Sequence, residues 1–248
     1  MNIGIIIVGV GGTGSIYAGS ICRYLATLQK EKGKDYKVLL IDGDIVEAKN
    51  LSRQLYTDED INEKKALCLA EAIEETLGIE VSVYDQYLDS IDTFQKILLS
   101  FSNSFEVYST FLPIVIGCVD NHRARQILHQ YFDEVRSCIY IDSANEYDYG
   151  EIVTGVKEGD KILSQPKGFY FPEVLTDNSP SKTEQSCGVI NLSSPQHIVT
   201  NTMAATLLLS ETINVLTSGK FEPGILYFYP FEGKVFRRRV DNHEKEKK

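Results

Sequence analysis

The chain has 248 residues, 43% of them apolar, and carries a formal net charge of −10. This length and composition predict one α/β domain with a large core and exclude a membrane span, which needs about 20 consecutive apolar residues. The acidic charge argues against a nucleic-acid partner, and five cysteines without C-x-x-C spacing predict reduced thiols in the cytoplasm and no zinc site.

A glycine-rich turn follows the first apolar run of the chain. Residues 3–8 form a continuous β-branched run, which is typical of a parallel strand buried on both faces. Gly9, Gly11 and Gly14 then match G-x-G-x-x-G, and helical spacing of apolar residues continues over 16–28. Such glycines let backbone N–H groups approach a phosphate at the helix N-terminus. The unit predicts nucleotide binding, with a glycine turn used only for packing as the alternative.

The second predicted strand, residues 37–41, ends in a polar stretch. Asp42 stands at the end of the strand, where it can accept hydrogen bonds from ribose hydroxyls, and Asp44, Asn50 and Arg53 follow within twelve residues. Ligands of open α/β sheets bind at this edge, and arginine can hold phosphate oxygens with two donors. A dehydrogenase that binds NAD would instead continue with an ordinary βα repeat, so the stretch favours ATP.

A helix is predicted to begin at Asn62 and to end at Gly78. Lys64 and Lys65 lie in its first turn, where a cation opposes the helix dipole and contributes nothing to helix stability. Lys65 is therefore a candidate phosphate ligand, with simple solvation of both lysines as the alternative. A short strand at 81–84 and a helix at 91–101 are predicted next.

Two further buried strands extend the predicted sheet. Residues 113–119 end at Asp120 and Asn121, a helical pattern covers 124–135, and a strand follows at 138–142. An acid at the C-terminal end of such a strand can reach a metal on a phosphate. The same position also suits a helix N-cap. Asp120 is therefore interpreted as a metal ligand, as the N-cap of the following helix, or as both.

A long loop interrupts the second half of the chain. Residues 158–186 are rich in glycine, proline and polar residues and show no periodicity, and a loop this long in a compact domain is usually functional or disordered. A helix opened by Ser194 and Pro195 and closed by Gly219 follows. An extended run at 150–156 precedes the loop, and a hairpin at 225–229 and 234–240 follows the helix.

Cys187 stands just beyond this loop. A thiolate is the best side-chain nucleophile near neutral pH, so Cys187 could attack an activated acyl group and form a thioester. The alternative is a structural or merely exposed thiol.

Five sequence features follow one another over about the first 145 residues: Gly9 to Ser15, Asp42 to Val46, Asn50 to Gln54, Lys65, and Ile114 to Asn121. Together they resemble the ThiF/MoeB family, the adenylating superfamily that also contains the ubiquitin-activating enzymes. The pair Ser186–Cys187 before a helix also resembles the ThiF-like proteins of PRTRC-type gene sets.

The resemblance implies an ATP site and the roles of its residues. Asp120 would hold Mg²⁺, whereas Arg53 and Lys65 would neutralise the phosphates, and these three side chains are the implied catalytic residues, joined by Cys187 if a thioester forms. The implied nucleotide-binding residues are Gly9, Gly11, Gly12, Gly14, Asp42, Asp44, Asn50, Arg53, Lys65, Asp120 and Asn121.

The resemblance also implies an architecture and a substrate. We expect one domain over residues 1–248, with a Rossmann-like, mostly parallel sheet flanked by helices that continues into antiparallel strands in its C-terminal half. Residues 1–145 would bind the nucleotide, 146–240 would face the substrate with 158–186 as a crossover loop, and 241–248 would fray. The implied acceptor is the C-terminal carboxylate of a ubiquitin-like protein or peptide, and the implied assembly is a homodimer.

The chain departs from the family pattern at its start. We expect no N-terminal helical segment, which in bacterial relatives supplies an arginine to the ATP site of the partner subunit. Arg23, Arg123 and Arg125 are candidates for that role. Two rival functions stay open: an oxidoreductase that uses NAD, and a non-catalytic nucleotide-binding subunit of a hetero-complex.

Overall fold

The computed structural model describes residues 1–28, 35–105, 110–177 and 196–239. The strands of these ranges are β1 (Asn2–Val8), β2 (Asp35–Ile41), β3 (Val81–Tyr84), β4 (Phe111–Gly117), β5 (Cys138–Asn145), β6 (Gly150–Glu158), β7 (Lys161–Ser164), β8 (Ile225–Tyr229) and β9 (Lys234–Arg238). The helices are α1 (Gly12–Leu28), α2 (Lys65–Leu77), α3 (Ile91–Asn103), α4 (His122–Glu134), α5 (Lys167–Tyr170), α6 (Glu173–Thr176) and α7 (Ile198–Ser218). Within these ranges no helix combines the length and the apolar character that a membrane crossing requires.

One sheet contains all of these strands. Parallel pairing joins β3, β2, β1, β4 and β5 in that spatial order. β6 pairs with β5, β8 with β6 and β9 with β8, all in the antiparallel sense, and β7 pairs separately with β6. The prediction of a mostly parallel sheet that becomes antiparallel in the C-terminal half is confirmed.

The helices cover both faces of the parallel part of the sheet. Ile5 and Ile7 of β1 pack in a core with α1, α2 and α7, whereas Ile6 and Val8 pack on the opposite face with α3 and α4. None of these four side chains is more than 3% exposed. A strand buried on both faces requires a continuous apolar run, and residues 3–8 supply it.

The helix that the sequence predicts from Asn62 begins at Lys65 instead. The N–H of Asn62 donates to the carbonyl of Val46 at 2.9 Å, and Lys64 forms an isolated antiparallel bridge with the same earlier segment. This pairing keeps residues 62–64 out of helical geometry, so Asn62 does not cap the helix. The predicted end is confirmed, because Gly78 adopts the left-handed conformation with a φ of 67°.

The last helix also begins later than predicted. α7 begins at Ile198, and the Nδ1 atom of its N-cap, His197, accepts a hydrogen bond from the N–H of Val199 at 3.2 Å. Ser194 and Pro195, the predicted opening pair, lie outside the described residues.

The segment predicted as an irregular loop over 158–186 contains regular structure as far as it is described. β7, α5 and α6 all lie within it, but elements of four residues are too short to show a hydrophobic period. Lys167 fixes α5 to the sheet, because its Nζ lies 2.9 Å from Asp142 Oδ1 and 3.0 Å from Glu151 Oε1. Residues 178–195, including Cys187, and the predicted tail 241–248 lie outside the described ranges.

Candidate functional site

The glycine loop lies where the carboxyl ends of β1, β2 and β4 meet. Gly9 N–H donates to the carbonyl of Ile41 at 2.8 Å, and Cys118 N–H donates to that of Val8 at 2.8 Å. A Cβ on Gly14 would lie 1.9 Å from the Gly9 carbonyl oxygen, so the turn closes too tightly for any side chain there. α1 begins at Gly12, and its first-turn N–H groups are available to an anion at this edge of the sheet.

Two asparagines from the second half of the chain border the start of α1. Asn201 of α7 is fully buried, and its Oδ1 accepts a hydrogen bond from Asn145 Nδ2 at 2.8 Å. Asn145 Oδ1 in turn accepts from the Thr13 hydroxyl at 3.0 Å. Neither asparagine could be predicted from the sequence, because both lie more than 100 residues from the loop and no local pattern points to either.

Unpartnered polar atoms also border the loop. Within the described part of the chain, Gln54 Oε1 and Asn201 Nδ2 are buried without a hydrogen-bond partner. Buried polar groups are normally paired, so such atoms mark places where a ligand or water completes the hydrogen bonding. Asn201 Nδ2 is a donor that suits a phosphate oxygen beside the N-terminus of α1, whereas Gln54 Oε1 is an acceptor and needs a water molecule or a ligand hydroxyl.

Replacing Gly12 with alanine tests how closely α7 approaches α1. A Cβ at Gly12 would lie 1.9 Å from Asn201 Nδ2, whereas a Cβ at Gly11 would lie 3.8 Å from Gln54 Nε2. We expect Gly12→Ala to lower the free energy of unfolding by about 1–3 kcal/mol, because a crowded core must shift to admit extra volume. Urea unfolding of Gly12→Ala beside Gly11→Ala measures this, and equal stability of the two variants would contradict it.

Asp42 joins the end of β2 to the glycine loop. Its Oδ2 accepts from the Val10 N–H at 2.7 Å, and its Oδ1 accepts from the Asp44 N–H at 2.8 Å. Burial raises the pKa of Asp42, as does the neighbouring Asp44 carboxylate, whereas Lys65 acts in the opposite direction. Asp42 is half-buried at this edge of the sheet, and its role as a ribose ligand stays a prediction.

Lys65 is buried at the start of α2 and is only 5% exposed, so the alternative of simple solvation is wrong. Its Nζ lies 3.0 Å from Asp44 Oδ2, and the Tyr87 hydroxyl donates to Asp44 Oδ1. Lys65 and Asp44 are predicted site residues, whereas no sequence pattern points to Tyr87, which follows β3.

Arg53 is connected to the start of α1 through Gln196 and Asn145. Its Nη1 donates to Gln196 Oε1 at 3.3 Å, and Gln196 Nε2 donates to the Asn145 carbonyl at 3.3 Å. Asn50 is 3% exposed, and its Oδ1 accepts from the Glu47 N–H at 3.0 Å, so this amide shapes the turn that carries Arg53.

Asp120 lies exposed on the turn between β4 and α4. The N-cap of α4 is Asn121, whose Oδ1 accepts from the Ala124 N–H at 2.8 Å, so the N-cap interpretation of Asp120 is wrong. The described ranges contain no group of three or more His, Cys, Asp or Glu side chains that could hold a metal ion.

Arg125 is not available to a partner subunit. It is buried, with its Nε 3.1 Å from Asp142 Oδ1, and its Nη2 donates to the carbonyls of Val119 and Ser143. Arg125 therefore holds the turn that carries Asp120. Of the other two candidates for a role in trans, Arg23 is exposed on α1, and Arg123 donates to the Asp89 carbonyl at 3.4 Å.

Named proteins are similar to this chain over part of their length. A protein of Drosophila virilis named ubiquitin-like modifier-activating enzyme 5 is 25% identical over 215 residues, which cover 85% of this chain and 49% of the relative. The Dictyostelium discoideum protein of that name is 29% identical over 134 residues, covering 52% of this chain and 32% of the relative. The chain spans about half the length, or less, of these relatives.

Solved structures share the fold. The crystal structure of E. coli MccB with ATP superposes with a TM-score of 0.63 at 17% identity, covering 95% of this chain and 63% of MccB. That of selenomethionine PaaA gives 0.64 at 15% identity, covering 96% of this chain and 64% of PaaA. A model of the ThiF family matches residues 1–248. The chain therefore belongs to the ThiF family.

Proposed function

We propose that the chain uses ATP to adenylate the C-terminal carboxylate of a ubiquitin-like protein or peptide, with release of pyrophosphate. The carrying observation is that the predicted phosphate ligands, Arg53 and Lys65, are both connected to the glycine loop by chains of hydrogen bonds. The chain from Lys65 passes through Asp44 and Asp42 to Val10. The chain from Arg53 passes through Gln196 and Asn145 to Thr13.

Electrostatic repulsion is the main obstacle to this reaction. A carboxylate oxygen must approach the α-phosphorus of a polyanion, form the acyl–phosphate bond, and break the bond to the β-phosphate oxygen, which leaves with the negative charge. Arg53, Lys65 and the first-turn N–H groups of α1 would offset the repulsion and stabilise the charge that develops on the α-phosphate. Among the described residues, Arg53 donates to a neutral amide and pairs with no carboxylate, which suits a role in binding phosphate.

Magnesium belongs to the same proposal, with Asp120 as its ligand. Mg²⁺ is commonly held by one or two carboxylates together with substrate phosphates, so one exposed carboxylate beside the loop suits it. When bound, the ion would neutralise phosphate charge.

An aromatic surface on the antiparallel half supports a protein or peptide acceptor. Tyr149 stacks on Tyr229 at 6.1 Å between ring centroids, and Tyr229 stacks on Phe236 at 6.1 Å. Phe236 is 48% exposed. Tyrosine and phenylalanine are enriched at protein interfaces. Among the structural neighbours, E. coli MccB was crystallised with AMPCPP and MccA.

Finer parts of the proposal concern assembly and location. A homodimer is supported by the exposed apolar side chains of Leu55, Ile198 and Val199, and sedimentation velocity measures it. A cytoplasmic location is proposed from the cysteine spacing.

A thioester on Cys187 remains a proposal, and intact-mass analysis with and without a competing thiol tests it.

Exchange of labelled pyrophosphate into ATP tests the proposed reaction. The purified chain is incubated with ATP, Mg²⁺ and small ubiquitin-fold proteins or peptides, each also prepared with an amidated C-terminus. We expect exchange that requires a free C-terminal carboxylate in at least one acceptor. Binding of ATP without exchange for every acceptor would favour a non-catalytic subunit, and binding of NAD(H) in place of ATP would favour the oxidoreductase.

A further inference from the structure

Tyr87 contacts Asp44, the carboxylate that pairs with Lys65, yet the proposed reaction gives Tyr87 no role. It lies in the turn between β3 and α3 and packs against Gly43, where a Cβ would lie 2.5 Å from the Tyr87 nitrogen and 2.7 Å from the ring. Gly43 therefore lets this turn close onto the end of β2. The ring remains 37% exposed, on the edge that would receive the nucleotide.

The Tyr87 hydroxyl and Lys65 share one carboxylate. Asp44 Oδ1 accepts from the Tyr87 hydroxyl, and Asp44 Oδ2 pairs with Lys65 Nζ at 3.0 Å. Burial raises the pKa of Tyr87 above its ordinary value, and so do the hydrogen bond to Asp44 and the charges of Asp44, Asp42 and Asp120. The hydroxyl is therefore a neutral donor at physiological pH.

We propose that Tyr87 is a positioning residue that keeps Lys65 available to the nucleotide phosphates by occupying one oxygen of Asp44. Without the hydroxyl, both oxygens of Asp44 can pair with Lys65 Nζ, and no second donor competes for the carboxylate. Lys65 is then held more tightly by Asp44 and is less available to a polyphosphate. The inference rests on the proposed function, because it requires that Lys65 meets ATP.

Equilibrium binding of ATP tests this positioning role separately from catalysis, since it needs neither an acceptor nor turnover. Isothermal titration calorimetry of the full chain compares Tyr87→Phe with the wild type, using ATP and adenosine as ligands. We expect Tyr87→Phe to weaken ATP binding about tenfold, in line with the loss of one hydrogen bond to a charged group, and to leave adenosine binding unchanged. Tyr84→Phe is the matched control, because Tyr84 ends the preceding strand.

Further variants tie the effect to Lys65. In a Lys65→Met background, Tyr87→Phe should cause no additional loss of ATP affinity, because the residue through which it acts is gone. An equal loss for ATP and adenosine, an unchanged ATP affinity, or an undiminished effect in the Lys65→Met background would overturn the inference. Failure of the wild type to bind ATP would instead refute the proposed function. Urea unfolding of Tyr87→Phe identifies any loss of affinity that arises from misfolding.

Discussion

Replacing Lys65 with methionine is expected to lower acceptor-dependent ATP–pyrophosphate exchange by about 100- to 1,000-fold, the usual cost of removing one group that stabilises developing charge. Lys65 is 5% exposed, so its ammonium acts in surroundings where water screens charge poorly. Methionine keeps the unbranched shape of the side chain and removes only the charge. Labelled pyrophosphate exchange at saturating ATP measures the loss.

A neighbouring lysine provides the control. Lys64 Nζ donates to the Gly43 carbonyl at 2.9 Å, so Lys64→Met removes a cation one residue away that does not pair with Asp44. We expect little change in exchange for that variant. Equal losses at Lys64 and Lys65 would contradict a specific role for Lys65 and would indicate a general effect of local charge.

The double variant Lys65→Met/Asp44→Asn separates two explanations of the loss. Lys65→Met leaves the Asp44 carboxylate without its cation, and that charge alone could repel ATP. If repulsion by Asp44 were the cause, the double variant would recover exchange. If the charge of Lys65 is needed by the phosphates, the double variant stays slow, which is the result we expect.

The nucleotide half could be predicted from the sequence because its signals are local. The sequence of β1 is a continuous apolar run, the glycines follow it directly, and Asp42 follows β2. The start of α2 could not be predicted, because Lys64 pairs with an earlier segment and this pairing prevails over the capping preference of Asn62.

Contacts between segments that are distant in sequence have no local signal. Asn201 touches Gly12, and Tyr87 touches Asp44, only because the sheet brings distant segments to one edge. The motif thus predicts the charged groups of the candidate site, whereas the side chains that contact them required the tertiary structure.

The second prediction concerns a buried ionic cluster around Asp142, whose disruption should strongly lower the stability of the fold. Asp142 is 0% exposed and pairs with Arg125 Nε at 3.1 Å and with Lys167 Nζ at 2.9 Å. Its Oδ2 accepts from the Tyr140 hydroxyl at 2.7 Å. The cluster links β5 to α4 and α5, and through Arg125 it holds the turn before Asp120.

Removing the carboxylate leaves two cations buried without their shared partner. We expect Asp142→Ala to lower the free energy of unfolding by about 3–5 kcal/mol, the usual cost of breaking a buried pair from one side. Urea unfolding at pH 7 measures this. Arg136→Ala is the control, because the Arg136–Asp160 pair is exposed and should contribute little. Similar losses for the two variants would contradict the buried cluster as a determinant of stability.

The pH dependence gives the same cluster a second test. Burial alone would raise the pKa of Asp142, but Lys167 and Arg125 hold it below its ordinary value. A carboxyl whose pKa is lower in the folded state contributes its stability above the unfolded pKa, about 3.9, and loses it as pH falls through the folded pKa. The difference in unfolding free energy between the wild type and Asp142→Asn should therefore be largest near neutral pH and shrink below about pH 4. A difference that grows on acidification would show that Asp142 is protonated in the folded protein and that the cations have another partner.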